Sequence, residues 1–268
     1  MFQEPQPSEE VLAGSYYHDP EFSRALQGPL REITLQRARA KLTLLQNAGA
    51  LRSGLRALDV GASSGAWLEV AAAEGMVATG VEIGAETAEG ARRRGLDMRT
   101  GTLEQAFPPS SEERFDLITF WDVLEHLRDP RRELAAAAHL LAPNGVVAAT
   151  FPNVEGWYPR VTYQLIARRT GIWEYPELPV HLYDFAPGTA RRLFERLGFE
   201  VMTLNTFPTP FQFYRETSLS RERLGQGIRA HAMRLAFEGL RVAVYPAARQ
   251  WGRENALFVA AHRQRRSY

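Results

Sequence analysis

A chain of 268 residues, 45% hydrophobic and 24% charged with a formal net charge of +1, has the composition of an ordinary globular protein, long enough for one large domain with insertions. The balance of charge leaves no footprint for a nucleic-acid partner, and the absence of cysteine excludes disulfides and thiolate metal sites. The start, Met1-Phe2-Gln3-Glu4-Pro5, lacks a basic region followed by an apolar core, and no run approaches the roughly 18 apolar residues of a membrane span, so a cytoplasmic address is expected.

Residues 1–14, rich in Pro, Glu and Gln, read as a mobile tail. A helical segment follows over residues 15–54. It opens at Tyr16-Tyr17-His18-Asp19 and carries Leu26, Leu30, Ile33 and Leu35, then Ala38, Leu42 and Leu45. Next comes the stretch around which the chain is organised, Leu58-Asp59-Val60-Gly61-Ala62-Ser63-Ser64-Gly65. A short apolar run enters a glycine-bearing turn, and the turn enters the helical pattern Ala66-Trp67-Leu68-Glu69-Val70-Ala71, giving strand, tight loop and helix. Glycines there let the backbone turn sharply and lie against a ligand. A dinucleotide loop wants a second glycine where Ser63 stands, and Asp59 would repel a phosphate but welcome an ammonium group. With Glu82 closing the next apolar run, Val77 to Glu82, and able to accept bonds from ribose hydroxyls, the pattern fits a cationic amino acid joined to a nucleoside.

Further along, Glu86 to Arg94 reads as a short helix ending at Gly95, with Arg92-Arg93-Arg94 as a solvated face. Asp129-Pro130 starts a helix that runs through Glu133, Leu134, Ala138 and Leu141 until Pro143-Asn144-Gly145. Another begins near Ala186-Pro187 and ends at Gly198. Alternation of strands and helices from Leu55 onward implies a mainly parallel sheet with right-handed crossovers. Two stretches interrupt the repeat. Asn153 to Asp184, with Trp157, Tyr158, Tyr163, Trp173, Tyr175, His181 and Tyr183, starts at the carboxyl end of a strand and is the expected substrate wall. Thr206 to Glu254 ends in a helix over residues 228–245. Its polar stripe of His231, Arg234, Glu238 and Arg241 leaves a broad apolar remainder. Three readings stand for that helix: a cap over the acceptor pocket, a homodimer contact, and a peripheral contact with a membrane surface, the last suggested by Arg229, Arg234, Arg241 and Arg249 beside Phe237, Leu240 and Val244.

These motifs resemble, in order, those of class I S-adenosylmethionine-dependent methyltransferases, closest to the group that includes the ubiquinone-type O-methyltransferases. Beyond the glycine loop, the resemblance rests on Gly101-Thr102-Leu103-Glu104, Phe115 to His126, Leu141 to Phe151 and Leu197-Gly198-Phe199. It covers roughly residues 15–207 and returns near Ala256 to His262. It implies an α/β fold: a seven-stranded, mostly parallel Rossmann-like sheet with the last strand antiparallel, flanked by helices and carrying inserted cap elements. The methyltransferase domain is expected over 55–263, with insertions at 153–184 and 206–254. The implied cofactor is S-adenosyl-L-methionine, held by Asp59, Gly61, Ala62, Ser63, Gly65, Glu82, Thr102, Leu103, Trp121 and Asp122. An aromatic near the start of the preceding segment, Tyr16 or Tyr17, either packs over the cofactor or packs a helix on the sheet edge; Tyr17 is the candidate. The sequence departs from the family at Ser63, where relatives carry glycine, and at Thr102, where they often carry aspartate for the adenine amine.

Methyl transfer from a sulfonium is an in-line displacement on an already activated group, so the protein mainly positions the acceptor and excludes water. If the acceptor is a hydroxyl or amine, a base takes its proton. His126, after the fourth strand, and His181, at the end of the aromatic insertion, are the candidates; the alternatives are a loop-fixing hydrogen bond for His126 and a packed structural role for His181. His18, His139, His231 and His262 read as surface residues, and Arg263, Arg265 and Arg266 as a solvated tail. Glu125, placed on a helix, would point away from His126, and no histidine and acid cluster has ligand spacing, so no metal is expected. The expected activity is methylation of a small or lipid-linked acceptor, O-methylation ahead of N- or C-methylation. The rival is a non-catalytic cofactor-binding scaffold or partner subunit, and a dinucleotide oxidoreductase stands third.

Overall fold

The computed structural model describes residues 28–171, 173, 181–208 and 228–263. Helix α1 (Gly28–Asn47) precedes β1 (Arg56–Val60), α2 (Ala66–Ala73), β2 (Val77–Glu82), α3 (Ala85–Arg93), β3 (Asp97–Thr100), α4 (Leu103–Ala106) and β4 (Phe115–Trp121). Then follow α5 (Pro130–Leu140), β5 (Leu141–Pro152), α6 (Trp157–Thr162) with a π-helical turn (Tyr163–Ala167) and α7 (Arg168–Thr170), α8 (Pro187–Arg196), β6 (Phe199–Phe207), α9 (Ile228–Gln250) and β7 (Ala256–Arg263). The seven strands form one sheet in the order β3-β2-β1-β4-β5-β7-β6. Neighbours from β3 to β5 pair in parallel, whereas β7 is antiparallel to both β5 and β6.

The central strands are apolar on both faces, as a parallel sheet covered by helices requires. Along β4, Ile118 and Phe120 join one core with Leu134 and Ala138 of α5 and Phe194 of α8. The intervening Leu117 and Trp121 join the other core with Leu35, Leu42 and Leu45 of α1 and Trp67 of α2. In β7 the same period-two rule sends Leu257, Val259 and Ala261 to the first core and Phe258 and Ala260 to the second. Strand order reverses between β1 and β4, which opens a crevice at their carboxyl ends, the place where open α/β sheets bind ligands.

The expected helix starts hold where capping chemistry was legible. The Asp129 side chain accepts from the backbone of Arg131 (3.1 Å) and Arg132 (3.2 Å), with Pro130 at the first helical position. The arginine run at the end of α3 is a correction. Arg92 donates to Met98 O (3.0 Å) and Thr100 Oγ1 (2.9 Å), and Arg94 reaches the carbonyl of Ser64, so these side chains tie loops rather than only face water. Arg263 likewise donates to Ala138 O (3.0 Å). His139 and His231 are exposed and His262 is half-buried near Glu200 (3.7 Å). The expected tail at 1–14, Tyr16, Tyr17, His18, Arg265 and Arg266 lie outside the described residues.

Helix α9 runs on through Pro246 to Gln250, beyond the expected end. It packs on α6 through buried Phe237 and Arg241; the Arg241 guanidinium lies 4.8 Å from the Tyr158 ring centroid and donates to its hydroxyl (3.0 Å). Leu235 and Val242 face solvent on its outer side. Among the described residues, no helix is long and apolar enough to cross a membrane.

Candidate active site

The loop after β1 packs so closely against its neighbours that two of its glycines have no room for a side chain. Gly61 has φ +71°, and a Cβ there would sit 2.6 Å from Val123 Cγ2; at Gly65 (φ +79°) it would meet Leu96 Cδ1 at 2.6 Å. The amides of Gly61 and Ala62 both donate to Val81 O at 2.9 Å, locking the turn to β2. Ser63 adopts φ +49°, the left-handed region that the family's glycine occupies without strain. Its amide donates to Glu82 Oε2 (2.8 Å), while Oε1 accepts from Gly84 N (2.7 Å), so the carboxylate is oriented across the loop mouth. Burial raises the Glu82 pKa, against the lowering effect of these backbone donors.

Asp59, 2% exposed, accepts from Thr119 Oγ1 at 2.7 Å. Burial pushes its pKa up to about 7, opposed by the Thr119 hydrogen bond and Lys41 and reinforced by Glu82 and Asp122. Asp122, past the end of β4 with φ +59°, accepts from Thr150 Oγ1 (2.8 Å) and pairs with Lys41 (3.0 Å) and Arg37 (3.8 Å) of α1. Burial pushes its pKa up, but the two cations and the hydrogen bonds outweigh that and hold it well below the usual carboxylate range. Lys41 also sits 5.4 Å from the Trp121 ring centroid. Sequence reasoning missed Arg37 and Lys41; their spacing of one helical turn was the available signal.

On the opposite side of the loop, Thr102 caps α4 reciprocally with Gln105: its Oγ1 accepts from Gln105 N (3.3 Å) and its amide donates to Gln105 Oε1 (2.8 Å). That engagement makes the threonine hydroxyl an imperfect stand-in for the family's aspartate. Leu103 is buried in the core. Tyr17 lies outside the described residues.

The two predicted histidines meet. Residues after β4 form a turn, with His126 N donating to Val123 O (3.0 Å), and the Glu125 carbonyl accepts from Leu182 N (2.8 Å) and Tyr183 N (3.2 Å). That stitching seats His181 against His126, ring centroids 4.7 Å apart at 64°. Val154 N donates to Phe185 O (2.9 Å) and Tyr183 Oη to Arg128 O (2.9 Å), closing the base of the insertion. Glu125 is a correction: it stands in a turn rather than on a helix, and it joins the histidines instead of pointing away. Its carboxylate and the two imidazoles place one ligand atom each within 4.8 Å of one another. Sequence spacing holds no such cluster; chain closure brings the three groups together.

The aromatic insertion follows the end of β5 and packs within itself. Tyr158 is buried, Tyr163 and Trp173 stand 5.0 Å apart, and Trp173 Nε1 donates to Thr162 Oγ1 (3.3 Å). Asn153 Nδ2 donates to Glu254 O (2.8 Å) and Trp157 N to Arg253 O (2.9 Å), joining both insertions at their roots. Tyr175 lies outside the described residues.

Comparison with known proteins agrees with this geometry. A methyltransferase-domain profile matches residues 32–204. A ubiquinone biosynthesis O-methyltransferase of Serratia proteamaculans (strain 568) is 33% identical over 121 residues, 42% of this chain and 50% of that protein. The chain thus spans about half the length of the curated relatives it matches. Among solved structures, magnesium protoporphyrin IX methyltransferase from Synechocystis PCC 6803, with bound S-adenosylhomocysteine, superposes with a TM-score of 0.59 at 14% identity, covering 96% of this chain and 100% of that one. The [4+2]-cyclase SpnF superposes with a TM-score of 0.61 at 16% identity, covering 97% and 98%, so the fold by itself does not fix the reaction. With the profile spanning most of the chain and the sheet order, glycine loop and strand-end acids in place, this chain belongs to the methyltransferase-domain family.

Proposed function

We propose that the protein is an S-adenosylmethionine-dependent methyltransferase that methylates a hydroxyl of a small or lipid-linked acceptor. The nucleoside ribose is read by Glu82, whose oxygens retain lone pairs beyond those used by Ser63 and Gly84. The methionine end lies toward Asp59 and Asp122, where its ammonium finds carboxylates and its carboxylate finds Lys41 and Arg37. Bound there, the cofactor supplies the activated methyl group. The residues of this chain orient the acceptor and take its proton.

The observation that carries the reading is the meeting of Glu125, His126 and His181 at the turn after β4. An imidazole there removes the hydroxyl proton as the oxygen attacks, and its neighbour and the carboxylate fix its orientation. The same three groups also support a second reading, since one carboxylate and two imidazoles make a donor set suited to a divalent cation. Such an ion would bind and acidify the acceptor hydroxyl. The 33% identical O-methyltransferase favours oxygen as the acceptor atom.

The test is transfer of labelled methyl to phenolic acceptors, with and without chelator and added magnesium or manganese. His126→Ala and His181→Ala are expected to lose about 100-fold or more in kcat while cofactor affinity holds within about threefold. Transfer at wild-type rates in both variants would overturn the assignment. Tight cofactor binding with no transfer to any hydroxyl acceptor would instead favour the non-catalytic scaffold.

A further inference from the structure

Helix α1 is tied to the cofactor edge at two places. At Lys41 and Arg37 the partner is Asp122, at the end of β4. At Arg31 the partner is Glu69 in the first turn of α2, Nη2 to Oε2 at 3.0 Å. The other Glu69 oxygen accepts from Arg94 Nε at 3.2 Å. Arg94 follows α3; its Nη1 donates to Gly90 O (3.0 Å), and its Nη2 donates to the carbonyl of Ser64, inside the glycine loop. At 1.5 Å per residue the ties at Arg31 and Lys41 are about 15 Å apart along α1, one to the start of α2 just after the glycine loop and one to the end of β4.

We infer that Arg94, Glu69 and Arg31 form a clasp that positions α1 and the glycine loop together for cofactor binding. One carboxylate bridges two guanidiniums from different elements, and such networks hold better than isolated surface pairs. Ser64 is buried and follows Ser63, a non-glycine residue held in the left-handed conformation, so this loop must be kept in a single shape. Arg94 fixes the Ser64 carbonyl while the Gly65 amide donates to Ala62 O (2.9 Å), which prevents the peptide between them from rotating into the ligand space. When the cofactor's carboxylate competes with Asp122 for Lys41, the tie at the far end of α1 slackens. The clasp then keeps α1 in place. These are positioning residues, and their role rests on the cofactor lying against Gly61–Gly65 as proposed.

The experiment follows dissociation of S-adenosylhomocysteine from the full chain by tryptophan fluorescence, Trp67 and Trp121 lying in the core beneath α1. Glu69→Gln and Arg31→Ala are each expected to raise Kd about three- to tenfold, through faster dissociation, with kcat at saturating cofactor within about twofold. The double variant is expected to match Glu69→Gln alone, because Glu69→Gln already removes the Arg31 tie, and Arg31→Lys to restore much of the loss. High salt should bring the wild type toward the variants. Unchanged dissociation in both folded variants, strictly additive effects, or a fall in kcat at unchanged Kd would each overturn the clasp. Glu82→Ala is the control: if it weakens binding and Glu69→Gln does not, the clasp alone fails, and if neither does, the cofactor placement fails with it.

Discussion

Asp59 carries the most consequential charge in the site, and Asp59→Asn isolates it. The carboxyl is buried, holds one hydrogen bond from Thr119 and titrates near 7, against an ordinary value of 3.8. Because the folded-state pKa lies above the unfolded one, the folded protein binds the extra proton between those values, and stability falls as pH rises through that window. About three pH units correspond to about 4 kcal/mol, an upper figure for what the ionised carboxylate costs the free protein above pH 7. Asparagine keeps a carbonyl for Thr119 and removes the charge. Urea unfolding is expected to give the variant a stability advantage that grows from pH 5 to pH 8 with unchanged m-value. In the proposed placement the cofactor's ammonium lies toward Asp59 and would favour its ionised form, reversing the sign of the effect. Calorimetry at pH 7 in buffers of different ionisation enthalpy should show about half a proton released per cofactor bound, rising toward one at pH 6. Asp59→Asn should abolish that release and weaken binding by about 1 to 3 kcal/mol. A stability gap that does not change with pH, or equal proton release in wild type and variant, would refute the reasoning.

Glu82→Ala should weaken cofactor binding by about 1 to 3 kcal/mol and leave Ser63, strained at φ +49°, without its carboxylate partner, so S-adenosylhomocysteine titration and the thermal midpoint should fall together. Phe237, 2% exposed where α9 packs on α6, anchors the second insertion. Phe237→Ala should destabilise that packing by about 3 to 5 kcal/mol, seen as faster proteolysis of α9 and weaker acceptor binding, with cofactor affinity unchanged. Loss of cofactor binding in that variant would sink the reading of α9 as a cap.

Why some of this was legible in the sequence and some was not follows from the range of the forces involved. The strands, the glycine turn and the α5 cap are local: period-two apolarity, φ above zero at Gly61 and Gly65, and an aspartate followed by proline each act within a few residues. The order of motifs carries the resemblance, which implies seven strands with the last antiparallel, and β7 is antiparallel to both its neighbours. What could not be read was the closure of distant segments. Glu125, expected to point away from His126 on a helix, has its carbonyl claimed by Leu182 and Tyr183, and two inter-segment hydrogen bonds outcompete a helix with no room to propagate between Trp121 and Pro130.

The same lesson governs the charges. Arg94 has the sequence context of a solvated C-terminal arginine, and Lys41 that of a polar position on an amphipathic helix, because helix-scale rules see only their own element. In the folded chain each finds an acceptor contributed by another element: Ser64 and Glu69 for Arg94, Asp122 for Lys41. Asp122 and Asp59 are both strand-end carboxylates within the cofactor crevice, but cations surround the first and an apolar core surrounds the second, so their pKa values move in opposite directions. That divergence gives the pair separate tasks. Asp122 stays charged and pairs with Lys41 and Arg37 of α1, whereas Asp59 is poised to ionise when a cation arrives; in the proposed placement that cation is the cofactor's ammonium, and its binding completes the electrostatics of the crevice.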